Sequence, residues 1–154
     1  GFALYKGYKA YTKWESEKST KAVSNEAGKT YQDLYDKEQR LSFPSTTYSA
    51  TANTIQYLLD GCEEPTTEVQ AIEEVGKVVK KPIDWYYLID TFGSRDIADC
   101  GSFGISKTSY DLVSLLKQQL DSQLLGDRVL GKVYWSGKTL SVLTEYLGKM
   151  GISI

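Results

Sequence analysis

The stretch Pro82-Ile83-Asp84-Trp85-Tyr86-Tyr87-Leu88-Ile89-Asp90-Thr91-Phe92, followed by Gly93, decides the fold class. Trp85, Leu88, Ile89 and Phe92 recur at the i, i+3, i+4, i+7 spacing that lines one face of an α-helix. Pro82 fits the first turn of that helix, where its missing N–H has no intrahelical acceptor. On such a helix Trp85 points into a core with Leu88 and Ile89, and Tyr86 or Tyr87 faces outward. Aromatic side chains rimmed by polar groups anchor interfaces, which makes Tyr86 and Tyr87 candidate contact residues. The plainer alternative is a core tryptophan with tyrosines at its margin.

Outward from this helix the same period repeats. On the N-terminal side a helix is expected from Thr66 to Lys80, with Val69, Ile72, Gly76 and Val79 inward and Thr67 and Gln70 at capping-box spacing. Lys77, Lys80 and Lys81 suit its negative end. Before it, Ala52, Ile55, Leu58 and Leu59 share a helical face that Gly61 terminates. On the C-terminal side, residues 93–106 are rich in Gly and Ser and read as a loop. A helix follows over about 108–120, with Leu112, Val113, Leu115, Leu116 and Leu120 as its core set. Val129 to Trp135 reads as a short strand or an irregular excursion. A last helix covers about 138–149, with Leu140, Leu143, Leu147 and Met150 on one side. Nothing gives the alternating strand–helix beat of a parallel sheet, so the expected fold is all-α.

Three segments follow from this pattern. Residues 1–41 read as a charged helical arm with a thin stripe of Tyr31, Leu34, Tyr35 and Leu41, split in two at Gly28 and needing a partner surface. Residues 42–50, with Pro44 and a run of hydroxyls, read as a linker. Residues 51–154 form a compact five-helix domain. At the start of the arm, Tyr5, Tyr8, Tyr11 and Trp14 alternate with lysines. That mixture suits a membrane–water interface, where aromatics sit at headgroup depth and lysines snorkel, and one hypothesis is that a span precedes Gly1. An amphipathic helix packed on the domain is the alternative.

The composition excludes several functions. The chain of 154 residues has no histidine, which removes the usual general base and a common zinc ligand. A net charge of −2, from 18 basic and 20 acidic side chains, argues against binding nucleic acid. No apolar run approaches the length of a membrane span. Cys62 and Cys100 are compatible with one disulfide, which would place the chain in an oxidising compartment or an extracellular particle, or with two buried thiols. Neither has a histidine to activate it as a nucleophile. Asp96 and Asp99, flanking Arg95, could divide acid and base roles, but a loop tied down by its arginine explains them as well. The doublets Glu63-Glu64 and Glu73-Glu74 read as solvated helix faces. Gly137-Lys138-Thr139 lacks the upstream glycine of a phosphate loop. No cofactor and no metal are expected.

Residues 50–154 resemble a single annexin-type repeat, a five-helix unit of the kind found in some bacteriophage structural proteins. Gly61 with Thr66-Thr67-Glu68 is similar to the glycine turn after the family's first helix. Phe92-Gly93-Ser94-Arg95-Asp96 is similar to the element before its fourth, and Leu115-Leu116-Lys117-Gln118-Gln119-Leu120 to the helix that follows. The resemblance implies calcium held by carbonyls of the glycine turn, but here that turn is longer and lacks its second glycine, so calcium does not carry over. The expectation is a non-enzymatic structural or interaction module with protein partners, in a virion or a membrane-associated assembly. The alternative is an annexin-like phospholipid-binding module using the loops after its first and third helices.

Overall fold

The computed structural model describes residues 22–154. Tyr5, Tyr8, Tyr11 and Trp14 lie outside the described residues. A helix, α1, runs through residues 22–36 without a break at Gly28. The expected interruption fails because Gly28 sits against α4 (Pro82–Phe92), where an added Cβ would lie 2.8 Å from Oδ1 of Asp90. Close helix approach outweighs the intrinsic cost of a helical glycine. The arm therefore has a partner surface within the chain. Ala27 is buried, and Tyr31 packs on Tyr87 with ring centroids 4.9 Å apart.

Residues 42–50 are not simply a linker. Helix α2 spans Ser45–Leu58, with Pro44 as its N-cap at φ −59°. Tyr48, Thr51, Ala52 and Ile55 give it a buried face at helical spacing, so tertiary packing overrides the poor helix propensity of the hydroxyl run. Helix α3 spans Pro65–Val78 and buries Glu68, Ala71, Ile72, Val75, Gly76 and Val78. Its cap forms one turn earlier than the Thr67–Gln70 spacing suggested, with the Glu64 N–H donating to Thr67 Oγ1 at 2.9 Å. Gly93, at φ +62°, ends α4.

The fold is mostly helical but not all-α. Residues 93–110 form an antiparallel hairpin, β1 (Arg95–Ala98) with β2 (Lys107–Tyr110), in which Arg95 faces Tyr110 and Ala98 faces Lys107. Helix α5 (Leu112–Gln119) starts only after it, capped by the Asp111 carboxylate, which accepts the Ser114 N–H at 2.8 Å. A second hairpin joins β3 (Asp127–Val129) to β4 (Lys132–Tyr134). Its two-residue turn, Leu130-Gly131, has φ of 52° and 80°, the left-handed pair that a type I′ turn requires. Helix α6 (Thr139–Gly148) closes the chain onto α3.

The core lies between α2, α3, α4, α5 and α6. Ile55, Leu59, Ile72, Val75, Leu88, Phe92, Leu115, Leu116, Leu143 and Leu147 are all buried there, with Trp85 at its α4 side. Ile97 is the one β1 residue that joins them. Among the described residues, no helix is long and apolar enough to cross a membrane.

Candidate functional site

The buried carboxylates and the charged groups of the first hairpin are engaged by hydrogen bonds within the fold. Asp84, fully buried, accepts from the Ser42 N–H and Oγ, the Tyr48 hydroxyl and the Lys80 and Lys81 N–H groups, at 2.6 to 3.1 Å. Burial alone would raise its pKa, but hydrogen bonds from Ser42, Tyr48 and Lys80 stabilise the carboxylate more and lower it. Burial and the neighbouring Asp84 push the Tyr48 hydroxyl up. The residue thus fastens the α1–α2 connection and the start of α4 to one point.

Asp96 and Asp99 are both engaged by hydroxyls of their own hairpin. Asp96 accepts from Ser109 Oγ at 2.5 Å. Asp99 accepts from Ser106 Oγ at 2.5 Å and Thr108 Oγ1 at 2.9 Å. Both carboxylates bind across their own hairpin. Arg95 reaches the other way. Its Nε donates to the Phe92 carbonyl at 2.9 Å, and its Nη1 donates to Asn53 Oδ1 at 2.7 Å and Gln56 Oε1 at 3.0 Å. It ties the hairpin to α2.

Glu63, Glu68 and Asp121 bring one oxygen each within 4.8 Å of one another. These are the residues nearest to a cation site among those described. Glu68, however, is buried, and its two oxygens already accept from the Asp121 and Ser122 N–H groups, Ser122 Oγ and Thr139 Oγ1. Burial, with the charges of Asp121 and Glu68 beside it, raises the Glu63 carboxyl. Of the other doublet, Glu73 accepts the Leu130 N–H at 2.6 Å and Glu74 pairs with Lys77 at 2.7 Å. Among the described residues, no buried side-chain nitrogen or oxygen lacks a hydrogen-bond partner.

A groove of about 570 Å³ runs between α5 and α6, floored by Leu120 and Leu140 and edged by Lys117, Lys138, Asp121 and Glu145. Neither cysteine lines it. Cys62 and Cys100 are joined in a disulfide with Cα atoms 4.4 Å apart, linking the α2–α3 turn to the β1–β2 hairpin.

Tyr86 and Tyr87 are half-buried, and their contacts are with the arm and α2. Tyr87 stacks between Tyr31 and Tyr48, at 4.9 and 5.2 Å. Tyr86 lines a cleft shared with Val23, Ala27 and Thr30 of α1. The strongly exposed apolar side chains lie elsewhere. On the second hairpin and its lead-in, Trp135 is 78% exposed and Leu125 79%. An edge of the Trp135 ring lies against Gly126, where a Cβ would come within 2.8 Å of Cζ3, while most of the ring stands in solvent. On the first hairpin, Phe103 is 98% exposed and Ile105 90%. Neither set shows in the helical periodicity of the sequence. An apolar pair set among glycines beside a cysteine, Cys100-Gly101-Ser102-Phe103-Gly104-Ile105, was the available signal.

In comparisons with known proteins, no protein-family model, no curated protein and no solved structure matches the chain.

Proposed function

We propose that the chain is a non-enzymatic interaction module that holds its place in an assembly through the outer face of the second hairpin. The observation that carries this reading is Trp135, strongly exposed just after a hairpin that Leu130 seats on α3, while among the described residues no buried polar side-chain atom lacks a partner. Tryptophan is among the residues enriched at interface hot spots, and covering one large apolar side chain contributes about 1.5–3 kcal/mol. Leu125 and the half-exposed Val133 extend the same edge. The setting proposed is an extracellular particle such as a virion, or a membrane-associated assembly on an oxidising side, because a disulfide such as Cys62–Cys100 persists there.

The annexin-like reading of residues 50–154 belongs to this proposal as an order of five helices, α2 to α6. Its support is Arg95, which reaches from the Phe92-Gly93-Ser94-Arg95-Asp96 element back to α2. Calcium is left out of it, because Cys62 turns the α2–α3 connection into a covalent brace.

Hydroxyl-radical footprinting of the native assembly against the isolated chain tests the reading. Protection of Trp135 and Leu125 in the assembly, with Trp135→Ser lowering incorporation about tenfold, is the expected result. Equal oxidation of Trp135 in both states overturns it.

A further inference from the structure

The tip of the first hairpin is a separate surface with a different chemistry. Residues 100–106, Cys-Gly-Ser-Phe-Gly-Ile-Ser, carry no charge. Phe103 and Ile105 stand almost wholly in solvent. Phe103 also holds φ at 55°, a left-handed conformation that is unfavourable for a bulky side chain. A phenylalanine that packs on nothing and strains its own backbone does not serve the fold, and such outliers point to function.

Part of the backbone under these side chains is bonded within the loop. The Asp99 N–H donates to the Ser106 carbonyl at 2.8 Å, the Ser102 N–H to Asp99 at 3.2 Å and the Ile105 N–H to Ser102 at 3.1 Å. Ser102 Oγ donates to the Asp99 and Ser106 carbonyls. The nearest carboxylate, Asp99, is turned inward onto Ser106 and Thr108. These bonds shape the base of the loop, while the Phe103 and Gly104 N–H groups at its apex stay free for water or headgroup oxygens, which suits the interfacial layer rather than the hydrocarbon core. The disulfide at Cys100 fixes the base of the tip to the α2–α3 turn, so little ordering entropy is lost on contact.

The dimensions select the occupant. Two side chains of roughly 200 Å² or less each offer about half of the ~800 Å² per partner that a stable protein interface needs. A narrow, uncharged, apolar projection fits a soft apolar medium. We infer that Phe103 and Ile105 insert into the interfacial layer of a phospholipid bilayer, anchoring the module by apolar contact without calcium. The acidic Glu63, Glu64 and Asp121 near the disulfide disfavour electrostatic attraction to an anionic surface, so the insertion is into neutral lipid.

Co-sedimentation of the full chain with phosphatidylcholine vesicles tests this. Binding should persist in chelator and change by less than about twofold between low and high salt. Phe103→Asn with Ile105→Ser should lower it tenfold or more, while the melting temperature stays the same or rises, since asparagine tolerates the left-handed region. A benzoyl-phenylalanine at position 103 should crosslink to lipid. No binding to the vesicles, binding that the double variant leaves intact, or a strict calcium requirement would each overturn the inference. A chain–chain adduct from position 103 would assign the tip to a second copy and overturn it too. Footprinting at Trp135 reads the other surface independently, so one reading can fail without the other.

Discussion

Leu130 fills the notch left by Gly76: its Cδ2 lies closer to the position a Gly76 Cβ would occupy than two carbons can approach. This contact, with the Leu130 N–H donating to Glu73, seats the β3–β4 turn on α3. Gly76→Ala should therefore cost about 1–3 kcal/mol by overpacking, although alanine is the better helix former. Leu130→Ala should relieve that clash, so the double variant should lose less than the two single losses combined. Urea denaturation of the four proteins checks it; strict additivity would mean that the two residues do not meet.

The disulfide should matter for stability in proportion to the chain it closes. Cys62 and Cys100 are 38 residues apart, and the chain-entropy relation gives about 3–4 kcal/mol for a loop of that size. Cys62→Ser with Cys100→Ser should lower the unfolding free energy by that amount and make the 99–106 loop the first site cut by limited proteolysis. Cleavage elsewhere at unchanged rates would show that hydrogen bonds alone hold the hairpin.

Sequence made α3, α4 and α6 legible because each presents several apolar residues at helical period, and that signal survives wherever one face is buried. It failed where three or four residues carry the structure. Lys107-Thr108-Ser109-Tyr110 is a strand because Asp96 and Asp99 bind Ser109, Ser106 and Thr108 across the hairpin, not because of any apolar alternation. Ser45-Thr46-Thr47 is helical because Tyr48 is drawn into the core by Asp84, 36 positions away. The exposed tips were hidden for a related reason. Whether Phe103 or Trp135 is covered depends on the tertiary course of a hairpin, while the tyrosines of α4 are covered by α1 and α2, which the periodicity of α4 alone does not show.

Asp84 makes stability depend on acid pH. Its folded pKa lies below the ordinary value, so the unfolded chain takes up a proton at higher pH than the folded one. The stabilisation is fully present above about pH 4, the unfolded carboxyl value, and is lost as pH falls through the folded value. Asp84→Asn should flatten this part of the profile and cost about 2–3 kcal/mol at neutral pH, because the amide matches fewer of the donors around it. Melting temperatures of both proteins between pH 2 and 7 would decide; parallel curves would place the acid sensitivity elsewhere.

Glu68 should separate the worth of a charge from the worth of an acceptor. Its Oε1 accepts from the Asp121 N–H at 2.9 Å, the Ser122 N–H at 3.0 Å and Thr139 Oγ1 at 2.8 Å, while Oε2 takes only the Ser122 hydroxyl. In Glu68→Gln the amide carbonyl can stay with the three donors. The new NH₂ then faces Ser122, whose hydroxyl can turn and accept. Only charge assistance is lost, about 1–3 kcal/mol. Glu68→Ala removes the acceptor altogether and leaves the buried Thr139 hydroxyl and the part-buried Asp121 and Ser122 N–H groups without it, so its cost should be clearly larger, about 3–5 kcal/mol. The Asp121 and Ser122 amides should also exchange with deuterium much faster in the alanine variant than in the glutamine one. Equal losses in the two variants would mean that water replaces the carboxylate, and that the 121–139 segment is held to α3 by its apolar contacts alone.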